Sequence, residues 1–201
     1  MQDRYRIGNA QTIGFCQVQS NYFSTRNGQE ALAVLADGTI DHINGRRCAI
    51  LAVEACMRKY FAMLSGKAFM PNFDTLVAGI LRELRDYIYC GKMPNLSLSI
   101  LFFRGQEVIY YTVGRNQVFL FDGKDYKILE GRNGRASFGG GMTAGVVSAG
   151  VWQVLQEMEF ISYLKKREHP FDKAQWMIQG VMEKRKKGAG NATVLLVEDA
   201  L

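Results

Sequence analysis

Hydrophobic and polar positions change their period several times along this chain. Between residues 12 and 34 they follow a strand-like pattern, and Asn27-Gly28 falls between two such runs as a hairpin turn. Beyond Gly38 a polar loop gives way to Ala49, Ala52, Val53, Cys56, Met57, Tyr60 and Phe61, which recur at helical spacing. Residues 73–89 repeat that spacing with Leu76, Val77, Ile80, Leu81, Leu84, Tyr87 and Ile88, so two consecutive amphipathic helices are predicted. The period then shortens. Residues 96–103, 108–113 and 118–121 are β-rich, broken by Arg104-Gly105-Gln106 and Gly114-Arg115-Asn116 and followed by a turn at Asp122-Gly123, which predicts an antiparallel meander. Six of the fifteen residues from 131 to 145 are glycine, a density that predicts a mobile surface loop. Residues 151–166 and 172–187 read as two more helices, divided at His169-Pro170 because proline disfavours helix in the residue before it. Residues 192–197 close the chain as a buried strand.

The order strands, two helices, strands, two helices, strand excludes a doubly wound parallel sheet. It predicts an α+β fold of packed, mostly antiparallel sheets with outer helices, the strand ending at Asp37 in the centre. Ten helix positions are expected to face the sheets: Val53, Cys56, Met57, Tyr60, Leu76, Ile80, Leu84, Val151, Leu155 and Trp176. At 201 residues with 48% hydrophobic content, one domain over 1–201 with its core at about 12–198 is expected. Apolar runs such as 31–36 and 96–103 are far shorter than the roughly 20 residues of a membrane span. Met1-Gln2-Asp3-Arg4 opens no secretory signal, so a cytoplasmic location is expected.

Cys16, Cys48, Cys56 and Cys90 lack the close spacing of metal ribbons or redox dithiols and read as reduced core residues. The net charge of +6 owes much to Lys165-Lys166-Arg167 and Lys184-Arg185-Lys186-Lys187. Solvated helix ends explain both clusters, since cations complement the helix dipole there; an acidic partner is the other reading. Basic residues are not interleaved with aromatics, and no nucleic-acid-binding signature is present, so a nucleic-acid partner is not expected.

The sharpest chemical signal is 33–38, a hydrophobic strand ending in Asp37-Gly38, with His42 and Gly45 following at the mouth of a helix. A carboxylate there can hold a cation, although Asp-Gly is also ordinary turn chemistry. In register, Asp37-Gly38-Thr39-Ile40-Asp41-His42-Ile43-Asn44-Gly45 resembles the D-G-M-G-G-H-x-x-G segment of the type 2C metal-dependent (PPM) protein phosphatases. Three further segments resemble that family in the same order. Val113-Gly114-Arg115-Asn116-Gln117 is similar to V-G-D-S-R, and 148–155, with Ser148, Gly150 and Trp152, to S-D-G-(L/V)-W-(D/E)-V-L. Gly190-Asn191-Ala192-Thr193-Val194 is similar to D-N-x-T-V. The resemblance spans about 12–198 and implies a four-layer α-β-β-α sandwich of two mostly antiparallel sheets flanked by helices.

The departures fall on the charged positions. Residues 17–22 stand where the family has R-x-x-N-(Q/E)-D, so the phosphate-gripping arginine is Gln17 and a metal-binding aspartate is Tyr22. Arg115, Ala149 and Gly190 stand at three more aspartate positions, leaving Asp37, with the Gly38 carbonyl, as vestigial metal positions. The family's reaction uses two magnesium or manganese ions held by shared carboxylates. One carboxylate and one carbonyl cannot assemble that centre, so no cofactor and no family-type catalysis are expected. Asp41 and His42 beside Asp37 are the one improvised metal site the sequence offers; His169 before Pro170 reads as a surface cap. Gly139-Gly140-Gly141 lacks the lysine of a phosphate cradle.

Three functions follow from the resemblance. The first is a pseudophosphatase, a protein-binding or regulatory module in serine/threonine phosphorylation signalling, with a kinase or phosphoprotein as partner. The second is a weak metal-dependent serine/threonine phosphatase using magnesium or manganese around Asp37. The third is an assembly module, marked by a flat apolar surface in place of a cleft.

Overall fold

The computed structural model describes residues 4–38, 43–64, 72–85, 96–184 and 190–200. Its strands are β1 (Tyr5–Thr12), β2 (Asn21–Arg26), β3 (Glu30–Asp37), β4 (Ser97–Arg104), β5 (Glu107–Val113), β6 (Gln117–Phe121), β7 (Tyr126–Ile128), β8 (Asn133–Ser137), β9 (Thr143–Val147) and β10 (Ala192–Asp199). Its helices are α1 (Ile43–Leu64), α2 (Phe73–Glu83), α3 (Ala149–Trp152), α4 (Glu157–Leu164) and α5 (Pro170–Glu183). One sheet runs β1-β10-β9-β6-β7 and the other β2-β3-β4-β5-β8, with every neighbouring pair antiparallel.

Three apolar layers hold four layers of structure together. Leu32, Val34 and Ala36 of β3 meet Ala52, Val53 and Cys56 of α1 and Ile80 of α2 on one side. Ala31, Ala33 and Leu35, the alternate residues of the same strand, pack between the sheets with Leu101, Val146 and Leu195. Leu196 and Val194 face Met177, Ile178 and Phe160 on the far side. A strand buried on both faces reads as a continuous apolar run, which is why 31–36 carries no alternation. The fold is the expected α+β four-layer sandwich.

Several expected elements differ. The chain begins with β1, which the periodicity missed because YRIGNAQT intersperses polar residues and buries an irregular set of positions. The expected meander stops at β5, for β6 crosses to the other sheet and pairs with β9 and β7. The glycine-rich stretch 131–145 is not a mobile loop: it contains β8 and enters β9. Two of its glycines are small for packing, since a Cβ on Gly134 would lie 2.5 Å from the Tyr110 hydroxyl and one on Gly145 2.5 Å from the Phe119 ring. The helix expected over 151–166 is two helices, because Gln156 restarts the backbone as an N-cap whose capping box uses Glu159. The strand ending at Asp37 lies beside the middle strand of its sheet, β4.

Nine of the ten expected core positions are buried. Trp176 is the exception, half-exposed with the Lys166 ammonium 3.9 Å from its ring centroid. On the helix faces, Phe61 and Leu81 are exposed, and Arg26 covers the Phe61 ring. Tyr87, Ile88 and Cys90 lie outside the described residues. Cys48 and Cys56 are buried free thiols, whereas Cys16 is half-buried; burial pushes the Cys56 thiol up to about 12, far from any thiolate at neutral pH. Among the described residues no helix is long and apolar enough to cross a membrane.

Candidate functional site

The end of the sandwich at Asp37 is built from both sheets. Register places Asn21 of β2 and Ser97 of β4 on either side of Asp37. Directly paired residues share a face, and Leu35, two residues earlier, packs between the sheets. Asp37, Asn21 and Ser97 therefore face the inter-sheet space, with Asp37 only 9% exposed. Gly38 donates its N–H to the Ser20 carbonyl at 3.1 Å. A Cβ on Gly38 would lie 2.3 Å from the Gly45 carbonyl oxygen, so the strand end and the first turn of α1 touch backbone to backbone. That contact is the physical content of the spacing from Asp37-Gly38 to Gly45.

The other sheet contributes the start of β10. The Asn21 side-chain amide donates to Thr193 Oγ1 at 3.0 Å and to the Asn191 carbonyl at 3.4 Å. Asn191 Nδ2 in turn donates to the carbonyls of Ile13 and Val18 at 2.9 and 3.1 Å, and its Oδ1 accepts from the Ser20 N–H. Ser148 Oγ donates to the Asn191 carbonyl at 3.2 Å and accepts from Thr193 N–H at 3.0 Å. These amides and hydroxyls form one neutral network joining the sheets and the β1–β2 loop. Asn21, Ser97, Ser148, Asn191 and Thr193 were not among the expected site residues. Their signal was in the sequence, since Ser148, Asn191 and Thr193 are the uncharged parts of the two late motifs.

The expected site residues are not all brought together. Tyr22 turns to the opposite face of β2 and packs against the α1 side, where its hydroxyl donates to Glu54 Oε1 at 3.0 Å. That hydrogen bond, reinforced by burial, raises the phenol's pKa. Glu54, a carboxylate on α1, lies outside all of the sequence motifs. Arg115 presents an exposed side chain and is anchored by its backbone, the N–H to Ser97 Oγ at 2.9 Å and the carbonyl to Trp152 Nε1 at 2.9 Å. Ala149 is buried at the start of α3, and a Cβ on its neighbour Gly150 would lie 2.3 Å from the Asn191 carbonyl oxygen. Gly190 is different: a Cβ there would meet nothing within 4 Å, so a larger side chain is not sterically barred. Gln17 is exposed in the β1–β2 loop, where the Arg46 guanidinium holds the nearby Gln19 carbonyl at 2.9 Å. His169 caps α5 as expected, accepting the Phe171 N–H on Nδ1. Asp41 and His42 lie outside the described residues.

A binuclear centre of hard cations requires several oxygen ligands, including bridging carboxylates. Among the described residues this inter-sheet end supplies one carboxylate, Asp37, flanked across the strands by Asn21 and Ser97. Asn21 Oδ1 is buried there without a hydrogen-bond partner among them, and it adds a neutral oxygen. No group of three His, Cys, Asp or Glu side chains gathers anywhere among the described residues. This donor set does not fit a two-metal centre.

No family model and no curated protein sequence matches the chain. Solved structures match it over nearly its whole length. A serine/threonine phosphatase of S. agalactiae superposes with a TM-score of 0.81 at 16% identity, covering 96% of this chain and 99% of that one. PppA, a key regulatory component of T6SS in Pseudomonas aeruginosa, gives 0.81 at 14% identity over 96% and 97%. The catalytic domain of the serine/threonine protein phosphatase PstP, solved with two manganese ions, gives 0.79 at 12% identity over 98% and 99%. The fold is that of the PPM-type serine/threonine phosphatases. At these identities the likeness is one of fold.

Proposed function

We propose that this chain is a catalytically impaired phosphatase-like domain, a protein-binding or regulatory module in serine/threonine phosphorylation signalling whose partner is a kinase or a phosphoprotein. The observation that carries this reading is the inter-sheet end at Asp37. In the resembling enzymes this end bears the metal carboxylates; here Asn21, Ser148, Asn191 and Thr193 hydrogen-bond to one another and to backbone. Apart from Asn21 Oδ1, the side-chain groups of this network are engaged with one another or with backbone, which favours rigidity over ligand exchange. With Tyr22, Arg115, Ala149 and Gly190 at the family's aspartate positions and Gln17 at its arginine, neither metal nor phosphate has its usual grip. The fold is retained and the chemistry is not, which leaves recognition as the function.

The test is hydrolysis of an aryl phosphate and a phosphopeptide by the purified protein with manganese or magnesium in excess. No turnover above background is expected, and calorimetry is expected to detect no tight binding of either ion. Turnover that disappears in Asp37→Asn would overturn the reading in favour of a weak phosphatase built around that carboxylate.

A further inference from the structure

A second cleft lies on the outer side of the sandwich, away from Asp37. It has a volume of about 420 Å³, between the α4–α5 connection, the start of α5 and the strands β1 and β10. Five basic side chains line it against three acidic ones. On its floor Lys173 is 5% exposed and donates to Glu198 Oε1 at 2.6 Å, while Arg6 donates to Glu198 Oε2 at 2.9 Å. Thr143 also donates to Glu198, and Asp199 pairs with Arg4. Two of the three acidic groups are thus already matched inside the protein. On the rim, Lys165 and Arg167 are exposed and form no ion pair among the described residues.

We propose that this cleft binds an acidic peptide segment of a partner protein. A partly buried wall with a basic rim focuses the field on an approaching anion. The rim cations occupy consecutive residues just beyond the end of α4, with Lys165 and Arg167 exposed and Lys166 drawn over the Trp176 ring. Such a row suits carboxylates distributed along a chain better than one compact phosphate. Met142, half-buried in the lining, offers contact to an apolar residue placed between the acids. The site does not rest on the reading of the Asp37 end.

The probe is a fluorescein-labelled peptide in which Glu alternates with Leu, followed by fluorescence anisotropy at low and high salt. Its phosphoserine counterpart and a single-stranded oligonucleotide of similar length serve as comparisons. Binding to the Glu peptide that weakens with salt is expected, with at least about a tenfold loss in K165E/R167E. The control K127E/R135E makes the same change in net charge at exposed positions on β7 and β8 and is expected to bind as the parent does. Equal weakening by both double variants would reduce the effect to net charge and overturn the site. Absence of peptide binding, or binding of the oligonucleotide in its place, would overturn the proposal as well.

Discussion

Asn191 commits its whole amide to segments distant in sequence: Nδ2 to the carbonyls of Ile13 and Val18, Oδ1 to the N–H of Ser20. Removing it leaves those groups of the β1–β2 loop to find water in a part-buried place, where an unmatched polar group costs about 1–3 kcal/mol. Asn191→Ala is therefore expected to lower stability by at least about 2 kcal/mol in urea unfolding, with faster amide exchange around Ser20. A loss below about 0.5 kcal/mol would place the loop's anchor elsewhere. At this scale the sequence was informative about which positions matter and less so about their contacts. Asp37, Asn191, Thr193 and Trp152 were marked by motif spacing. Tyr22 shows the limit, because period-two alternation decides which of two adjacent residues faces the site, and a motif in a loop-to-strand transition does not state where the alternation begins. Asn21 faces the inter-sheet space and Tyr22 faces α1, yet neither supplies a carboxylate, so the poverty of charge is independent of that choice.

Elements that bury a clean stripe were legible, and elements shaped by a neighbour were not. α1 and α2 show helical spacing because one face of each lies on a sheet. β8 is a sheet-edge strand whose burial alternates only between exposed and half-exposed, so it carries almost no apolar signal. β1 depends on Gly8, where a Cβ would lie 2.1 Å from the Pro170 carbonyl carbon at the start of α5. The obstruction is backbone, which cannot swing aside as a side-chain tip does. Gly8→Ala is expected to push α5 away from β1 and cost at least about 2 kcal/mol, since overpacking typically costs 1–3 kcal/mol even where side chains can yield. Thermal unfolding followed by circular dichroism measures it, and a midpoint within a degree of the parent's would show that the two elements separate freely. The break between α3 and α4 was hidden for the opposite reason: Leu155 and Phe160 are both buried, and helical spacing continues across a turn that only the Gln156 cap interrupts.

Across the molecule, the two sheets are joined at one end by amides and hydroxyls, while at the outer cleft the Lys173–Glu198 pair ties α5 to β10. Asp37 is the one carboxylate that the described residues bring to the seam between the sheets, so among them no repulsion between carboxylates awaits a cation. Excess EDTA is accordingly expected to leave the melting midpoint unchanged, measured by scanning calorimetry. A fall of several degrees, reversed by manganese, would mean that a bound ion contributes to the native state. The two candidate sites also differ in a property that makes them separately observable. The chain has two tryptophans: Trp152 donates to the Arg115 carbonyl beside the Asp37 end, and Trp176 lies beneath Lys166 at the edge of the basic cleft. Both are half-exposed. Each surface thus carries its own intrinsic fluorophore, and Trp152→Phe or Trp176→Phe leaves a single emitter at one of them. An occupant of the protein announces its address by which indole changes colour, before its identity is known.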